Sequence, residues 1–243
     1  MTISERIQRR FGRAIGQYRL IDDGDHILVG LSGGKDSLCL LELLARRSRI
    51  QRPQFTVEAL HVRMENVSYE TDTSYLQHFC DELGVPLHII TTSFDSQLSA
   101  NNPQFKQKPP CFLCSWQRRK QLFNLAQQLG CNKIALGHHQ DDIIKTALMN
   151  LTFQGQFSTM PALLRMRKMP LTIIRPLCLV EEADIRTYAE QQGYQKQVKQ
   201  CPYEHATNRT DIEDLFDRMQ QLNPEARYSV WNALEAAGKL TEY

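Results

Sequence analysis

No run in the 243 residues approaches the roughly 18 consecutive apolar residues that a membrane-spanning helix needs. The segment Met1–Leu20 carries five arginines and no apolar core, so no secretory leader is expected and the cytoplasm is the predicted compartment. Internal repeats and low-complexity tracts are both missing. With 42% hydrophobic and 23% charged residues, the composition excludes a disordered, collagen-like or small disulfide-stapled chain. The length fits one globular domain, or a domain with a small appendage.

Acid is scarce in one segment. The formal net charge of +2 argues against a strongly electrostatic partner. Yet Ser96–Val180 holds eleven bases against two acids, Asp141 and Asp142, a local charge of +9 that leaves −7 for the remainder. A chain polarised in this way carries either a solvated basic face or a surface for a polyanion.

Seven cysteines are present. In a reducing compartment, clustered cysteines point to metal or catalysis more than to disulfides. Cys39, Cys80, Cys131 and Cys178 stand singly among apolar neighbours and read as small buried hydrophobes.

Apolar periodicity predicts an alternation of elements. Ile3, Ile7, Phe11 and Ile15 mark an amphipathic opening helix. Strands are expected at His26–Leu31, Phe55–Val62, Pro86–Thr92, Lys133–Gly137 and Thr172–Arg175. Helices are expected after the first strand to about Arg47, and at Thr71–Leu83, Ser115–Leu129, Asp141–Phe153, Glu181–Gln191, Asp211–Gln221 and Pro224–Ala237. Asn223 is the expected N-cap of the last helix and Pro224 its first residue. Ser93–Pro110 reads as irregular. The alternation predicts an α/β fold, a doubly wound parallel sheet with a C-terminal helical extension. The expected division is an N-terminal helix (1–22), a nucleotide-binding domain (23–180) and the extension (181–243).

Three features carry chemistry. Ser32-Gly33-Gly34-Lys35-Asp36-Ser37 lies between the first strand and its helix, where open α/β sheets bind ligands. Two glycines, a helix N-terminus and two hydroxyls form a cradle for phosphate. The loop matches neither Gly-x4-Gly-Lys-Ser/Thr nor Gly-x-Gly-x-x-Gly. His61, at the end of the second strand, is placed with the same nucleotide group. Gly137-His138-His139-Gln140-Asp141-Asp142 follows a later strand. Its carboxylates suit Mg²⁺ beside phosphate, with helix capping the rival role for Asp141. His138 and His139 suit packing at the sheet edge or a nucleotide contact, with metal ligation a further role. Cys111-x-x-Cys114 brings two thiolates to one metal, flanked by Arg118, Arg119 and Lys120. With remote Cys201 it offers three ligands for a [4Fe–4S] cluster; with His205 added it offers a zinc site; a Cys111–Cys114 redox disulfide is the third option.

The glycine loop resembles the pyrophosphate loop of the N-type ATP pyrophosphatases, which transfer AMP to a carbonyl oxygen. The ordered set of Ser32–Ser37, Cys111/Cys114 with Arg118/Arg119, Gly137–Asp142, Met160-Pro161, Ile174–Leu177 and Cys201 resembles the tRNA 2-thiocytidine synthetase (TtcA) family. The resemblance covers the opening helix to about Met219. It implies an adenine nucleotide alpha hydrolase-like fold and ATP-dependent replacement of a cytidine 2-oxo group by sulfur in a tRNA anticodon loop. It implies ATP, Mg²⁺ and a [4Fe–4S] cluster on Cys111, Cys114 and Cys201. The expected catalytic residues are Cys111, Cys114, Arg118 and Asp142. The nucleotide contacts are Ser32, Gly33, Gly34, Lys35, Asp36, Ser37, His61, Gly137 and Asp141. Implied partners are tRNA and a sulfur donor such as a cysteine desulfurase, with no membrane partner and a homodimer left open.

Lys106, Lys108, Arg165, Arg167 and Lys168 are the phosphate readers considered for tRNA, with Arg6, Arg9, Arg10 and Arg13 as a second patch. Trp116 and Phe157 are considered for base stacking against core packing. Three positions depart from the family pattern: Glu204 replaces a second late cysteine, Lys145 replaces an acid, and Gln200–Asn208 diverges. The alternatives are an ATP-dependent sulfurtransferase or ligase acting on another base or a small molecule, with zinc at the cysteines, and a nucleotide-binding module without turnover.

Overall fold

The computed structural model describes residues 1–65, 72–93, 110–195 and 208–242. These hold eight helices and seven strands in the order α1 (Ile3–Tyr18), β1 (Asp25–Gly30), α2 (Lys35–Ser48), β2 (Phe55–Met64), α3 (Thr73–Leu83), β3 (Leu87–Thr92), α4 (Pro110–Gln128), β4 (Lys133–Ala135), α5 (Gln140–Gln154), β5 (Leu163–Arg165), β6 (Thr172–Ile174), α6 (Glu182–Gln191), α7 (Asn208–Leu222), α8 (Ala226–Ala236) and β7 (Thr241–Glu242). The chain forms two compact units that divide within β4. The glycine-loop unit runs from Asp23 to Ile134 and resumes at Tyr194. The terminal unit takes Met1–Asp22, Ala135–Gly193 and the C-terminal helices.

In the glycine-loop unit the strand order is β3-β2-β1-β4. β1 runs parallel to β2 with Val29 opposite Ala59, and β2 runs parallel to β3 with His61 opposite Ile89. Ile27, Leu28 and Val29 are all buried, the run expected of a strand covered on both faces. Helices α2 and α4 both pack on this sheet. Every residue of α2 from Ser37 to Ala45 is buried.

Two polar clusters fix the strand ends. Lys133 Nζ lies 2.6 Å from Asp25 Oδ2, both side chains being buried. Asn132 Nδ2 donates to the other Asp25 oxygen at 2.8 Å. Lys133, counted above within the basic stretch, is therefore no surface charge. Glu58 on β2 sits between His26 of β1 and His88 of β3, with Nε2 atoms 2.8 and 2.5 Å from its two oxygens. Partial burial works to raise the Glu58 carboxyl. The hydrogen bonds from His88 and His26 outweigh it and hold the group below the ordinary Glu value.

In the terminal unit the order is β4-β6-β5-β7. β5 is antiparallel to β6 and parallel to β7. β5 and β7 are absent from the expected elements because strands of three and two residues carry no readable period. Helix α1 begins with a capping box. Thr2 Oγ1 accepts from Glu5 N at 3.2 Å, and Thr2 N donates to the Glu5 carboxylate at 2.8 Å. Its buried face of Ile7, Phe11 and Ile15 packs beside α6. Each such side chain contributes about 1.5–3 kcal/mol when fully buried. Helices α7 and α8 pack on α5.

Two helix starts differ from expectation. α4 begins at Pro110 rather than Ser115, so the cysteine pair lies within its first two turns. Proline's fixed φ suits a first helical position and sets the start there. α8 begins at Ala226, because Asn223 Oδ1 accepts from Glu225 N at 3.0 Å and closes a turn ahead of the helix. No described helix is long and apolar enough to cross a membrane.

Lys133→Met strands a buried carboxylate and is expected to cost about 3–5 kcal/mol. Adding Asp25→Asn, which removes the orphaned charge and keeps an acceptor for Asn132, should recover at least half of it. Urea unfolding of both variants measures this. The depressed Glu58 group stabilises the fold above the unfolded-state Glu range, and this contribution is lost as pH falls through the folded value. The gap in unfolding midpoint between wild type and Glu58→Gln should be full at neutral pH and close on acidification below 4.5.

Candidate active site

The glycine loop is shaped by its own side chains. Gly33 has φ +82°, a left-handed conformation that favours glycine. Gly34 is extended and caps α2. Ser37 Oγ accepts from Ser32 N at 3.2 Å and donates to the Gly34 carbonyl at 2.9 Å. Ser32 Oγ accepts from Gly34 N at 3.3 Å. Two serines five residues apart thus close the loop over the α2 N-terminus. Lys35 Nζ lies 3.1 Å from Asp36 Oδ1 in the first turn. The helix dipole concentrates positive potential there.

His61 stands under this loop. It is buried, and its Nδ1 lies 2.8 Å from the Leu31 carbonyl. A carbonyl only accepts, so Nδ1 carries the proton. The ring braces the residue that leads into Ser32.

Cys111 lies in the first turn of α4, Cys114 about one turn on, and Arg118 one turn later again. Spacings of three and four place all three on one helix face. Cys111 is exposed and Cys114 half-buried, and they stand as thiols. The helix N-terminus favours negative charge at this position. Trp116 is partly exposed, with Lys120 Nζ 5.4 Å from its ring centroid. Cys201, Lys106, Lys108, Glu204 and His205 lie outside the described residues.

The remaining four cysteines are buried. Burial raises the Cys80 thiol to about 12 and the Cys131 thiol to about 11, and Cys39 and Cys178 higher still. All four behave as the small hydrophobes expected.

In the terminal unit, Gly137 and His138 follow β4 and His139 caps α5. Asp142 accepts from His139 N at 3.1 Å, and its carboxylate is 39% exposed. Asp141 differs. Its Oδ1 accepts from Arg227 Nη2 at 2.8 Å and its Oδ2 from Glu182 N at 2.8 Å. Burial works to raise this carboxyl. The Arg227 hydrogen bond and charge, the Glu182 N–H and the nearby His139 outweigh it and hold it below the ordinary Asp value. Asp141, placed among the nucleotide contacts with helix capping as its rival role, accepts from a protein donor at each oxygen. Arg227 has no local sequence signal, since its partner lies 86 residues away.

Arg175 is a second residue whose role only the fold reveals. It is buried, its Nε donates to His138 Nδ1 at 3.3 Å, and its Nη1 donates to the Pro161 carbonyl. One side chain thereby joins the Gly-His-His, Met-Pro and Ile-Arg-Pro-Leu segments. Lys145 pairs with Glu213 of α7 at 2.5 Å. Arg165, Arg167 and Lys168 are exposed around the β5–β6 hairpin, and Phe157 is partly exposed.

Residues 3–213 match the family described as the PP-loop domain. A tRNA-cytidine(32) 2-sulfurtransferase from Francisella tularensis subsp. novicida is 34% identical over 233 residues, 96% of this chain and 86% of that protein. One from Alkalilimnicola ehrlichii is 33% identical over 235 residues, 96% of this chain and 74% of that protein. Among solved structures, the U34-tRNA thiolase NcsA from Methanococcus maripaludis, with its [4Fe-4S] cluster, superposes with a TM-score of 0.76 at 25% identity, covering 97% of this chain and 78% of that one. The family match over residues 3–213 and these identities over most of the chain show that it belongs to the PP-loop family as a member of the tRNA-cytidine(32) 2-sulfurtransferases.

Proposed function

We propose that this chain uses ATP to activate the 2-oxo group of cytidine 32 in tRNA and replaces that oxygen with sulfur, giving 2-thiocytidine. The observation that carries the reading is the Cys111–Cys114–Arg118 face at the start of α4, in the same compact unit as the Ser32–Ser37 loop. The names of the relatives supply the substrate and position.

A pyrimidine 2-oxo group is a poor electrophile, and oxide is a poor leaving group. Attack of the oxygen on the α-phosphorus forms a C2–O–AMP bond and releases pyrophosphate. Sulfur at the sulfide level then bonds to C2, the C2–O bond breaks, and AMP leaves with the oxygen. The loop N–H groups and Lys35 hold the departing pyrophosphate charge. His61 keeps the loop entry in place. Arg118 offers a fixed cation to phosphate or to the developing oxyanion.

The donor set fits the implied cofactors. Two thiols one turn apart at a helix N-terminus suit an anionic iron–sulfur centre, with Cys201 as third ligand. Three protein thiolates leave one iron of a [4Fe–4S] cluster open, so the bound cluster supplies a place to hold sulfide. The exposed Asp142 carboxylate suits Mg²⁺, which neutralises charge on phosphate. Asp141 acts as a positioning residue that fastens the start of α5. A sulfur donor such as a cysteine desulfurase delivers persulfide sulfur, which must gain two electrons from a reductant to enter as sulfide.

Protein purified anaerobically should be brown and hold about four irons per chain, and a strain lacking it should lose 2-thiocytidine from its tRNA by nucleoside mass spectrometry. Cys111→Ser and Cys114→Ser should fail to restore the nucleoside. Unchanged 2-thiocytidine would refute the substrate, and a colourless protein with one zinc would refute the cluster. Asp142→Asn should lower the thiolation rate about a hundredfold or more while leaving tRNA affinity intact. Asp141→Asn should instead lower the melting temperature, since it weakens the hold on the largely enclosed Arg227.

A further inference from the structure

The terminal unit contains a pocket of about 520 Å³ between α1 and α8, floored by the start of α5. Nothing in the proposed chemistry uses it. Arg9 and Arg13 of α1, Tyr228 of α8 and Gln140 are among the residues that line it.

The arginines of α1 do not act alike. Arg6 lies 2.7 Å from Asp184, and Arg10 lies 2.6 Å from Glu181, so both are tied to the start of α6. Arg9 and Arg13 are exposed and form no ion pair among the described residues. The one pocket acid, Glu235, already accepts from Tyr18 OH at 3.0 Å and Gln17 Nε2 at 2.5 Å. Two cations four residues apart on one face are thus left toward solvent. Gly12 and Gly16 have nothing within 4 Å of where a Cβ would stand, so the helix surface beside them is open to close approach.

The interior is chemically different. Tyr228 is 49% exposed and presents a ring. Gln140 is only 5% exposed and lines the pocket. It offers both a donor and an acceptor, the pattern that reads the edge of a base. Cations for phosphates, a ring for stacking and a buried amide for a base edge together describe the recognition of one unstacked nucleotide in a single-stranded loop.

We infer that this pocket binds a splayed nucleotide of the tRNA loop, with Arg9 and Arg13 on its flanking phosphates, Tyr228 stacked on its base and Gln140 on the base edge. The inference rests on tRNA being the substrate. It makes the pocket a second RNA contact within the terminal unit, built from residues other than those given roles in the chemistry.

The test measures binding of full-length protein to tRNA by fluorescence anisotropy across a salt series. Arg9→Ala with Arg13→Ala should raise Kd at least tenfold and lower the log–log salt slope by about 1.4, at about 0.7 per phosphate of a single strand. Tyr228→Ala should weaken binding roughly tenfold, and Tyr228→Phe should restore it. Melting temperature and ATP affinity of these variants should match wild type. Wild-type Kd and salt slope in the variants overturn the pocket, and if the wild type still makes 2-thiocytidine the proposed function stands. A wild type that binds no tRNA overturns both. Cytidine monophosphate is the free-nucleotide probe. If it binds in a Tyr228-dependent way while tRNA affinity is unmoved by the substitutions, the pocket serves a free nucleotide and the RNA contact is refuted.

Discussion

The terminal unit depends on one carboxylate. Asp141 sits in the first turn of α5, is buried, and divides its oxygens between the Arg227 guanidinium and the Glu182 amide. Through it, helices α5, α6 and α8 share a fixed point. A buried charge is tolerated only when paired and hydrogen-bonded, and Asp141 is both. The consequence falls on its neighbour. With Asp141 turned inward, the next residue on the helix is set toward the exposed side, and Asp142 becomes the carboxylate offered to a cation. A consecutive acid pair therefore divides into one group that holds the scaffold and one available for chemistry.

Much of the fold was legible because its determinants are local. The glycine loop could be read from six residues, since turn chemistry and a helix N-terminus act within that span. The buried β1 run and the Leu-rich α2 announced themselves by composition. The cysteine pair was legible as a pair, but its helical setting was not, because the irregular reading of Ser93–Pro110 ran through the proline that starts α4. The shortest strands, β5 and β7, exist through pairing with neighbours distant in sequence. Arg227 was illegible for the same reason, as were the partners of Arg175, although the Ile174–Leu177 segment that holds it was picked out. Each satisfies a buried group supplied by a remote segment, and nothing around either residue in the chain records that debt.

The charge arithmetic meets the same limit. The basic stretch from Ser96 to Val180 suggests a continuous positive surface. Lys133 is spent on buried Asp25, Arg175 on His138 and Pro161, and Lys145 on Glu213. Arg165, Arg167 and Lys168 do remain exposed on the β5–β6 hairpin. On α1, outside that stretch, the exposed pair is Arg9 and Arg13, because Arg6 and Arg10 face acids of α6. Which cations meet a polyanion is thus decided by the acids already beside them, a property of the fold that a running count cannot hold.

The cysteines carry a further consequence, for the behaviour of this protein in air. Of the six described, four are buried with thiols held well above their ordinary value, so they contribute almost no thiolate at neutral pH. Oxidants and alkylating agents act on thiolate that solvent can reach. Among the described cysteines, their attack is confined to Cys111 and Cys114. Oxidative damage to this chain would then remove activity while leaving the core packed: an inactivated molecule would melt like a native one, and loss of function would precede any loss of structure.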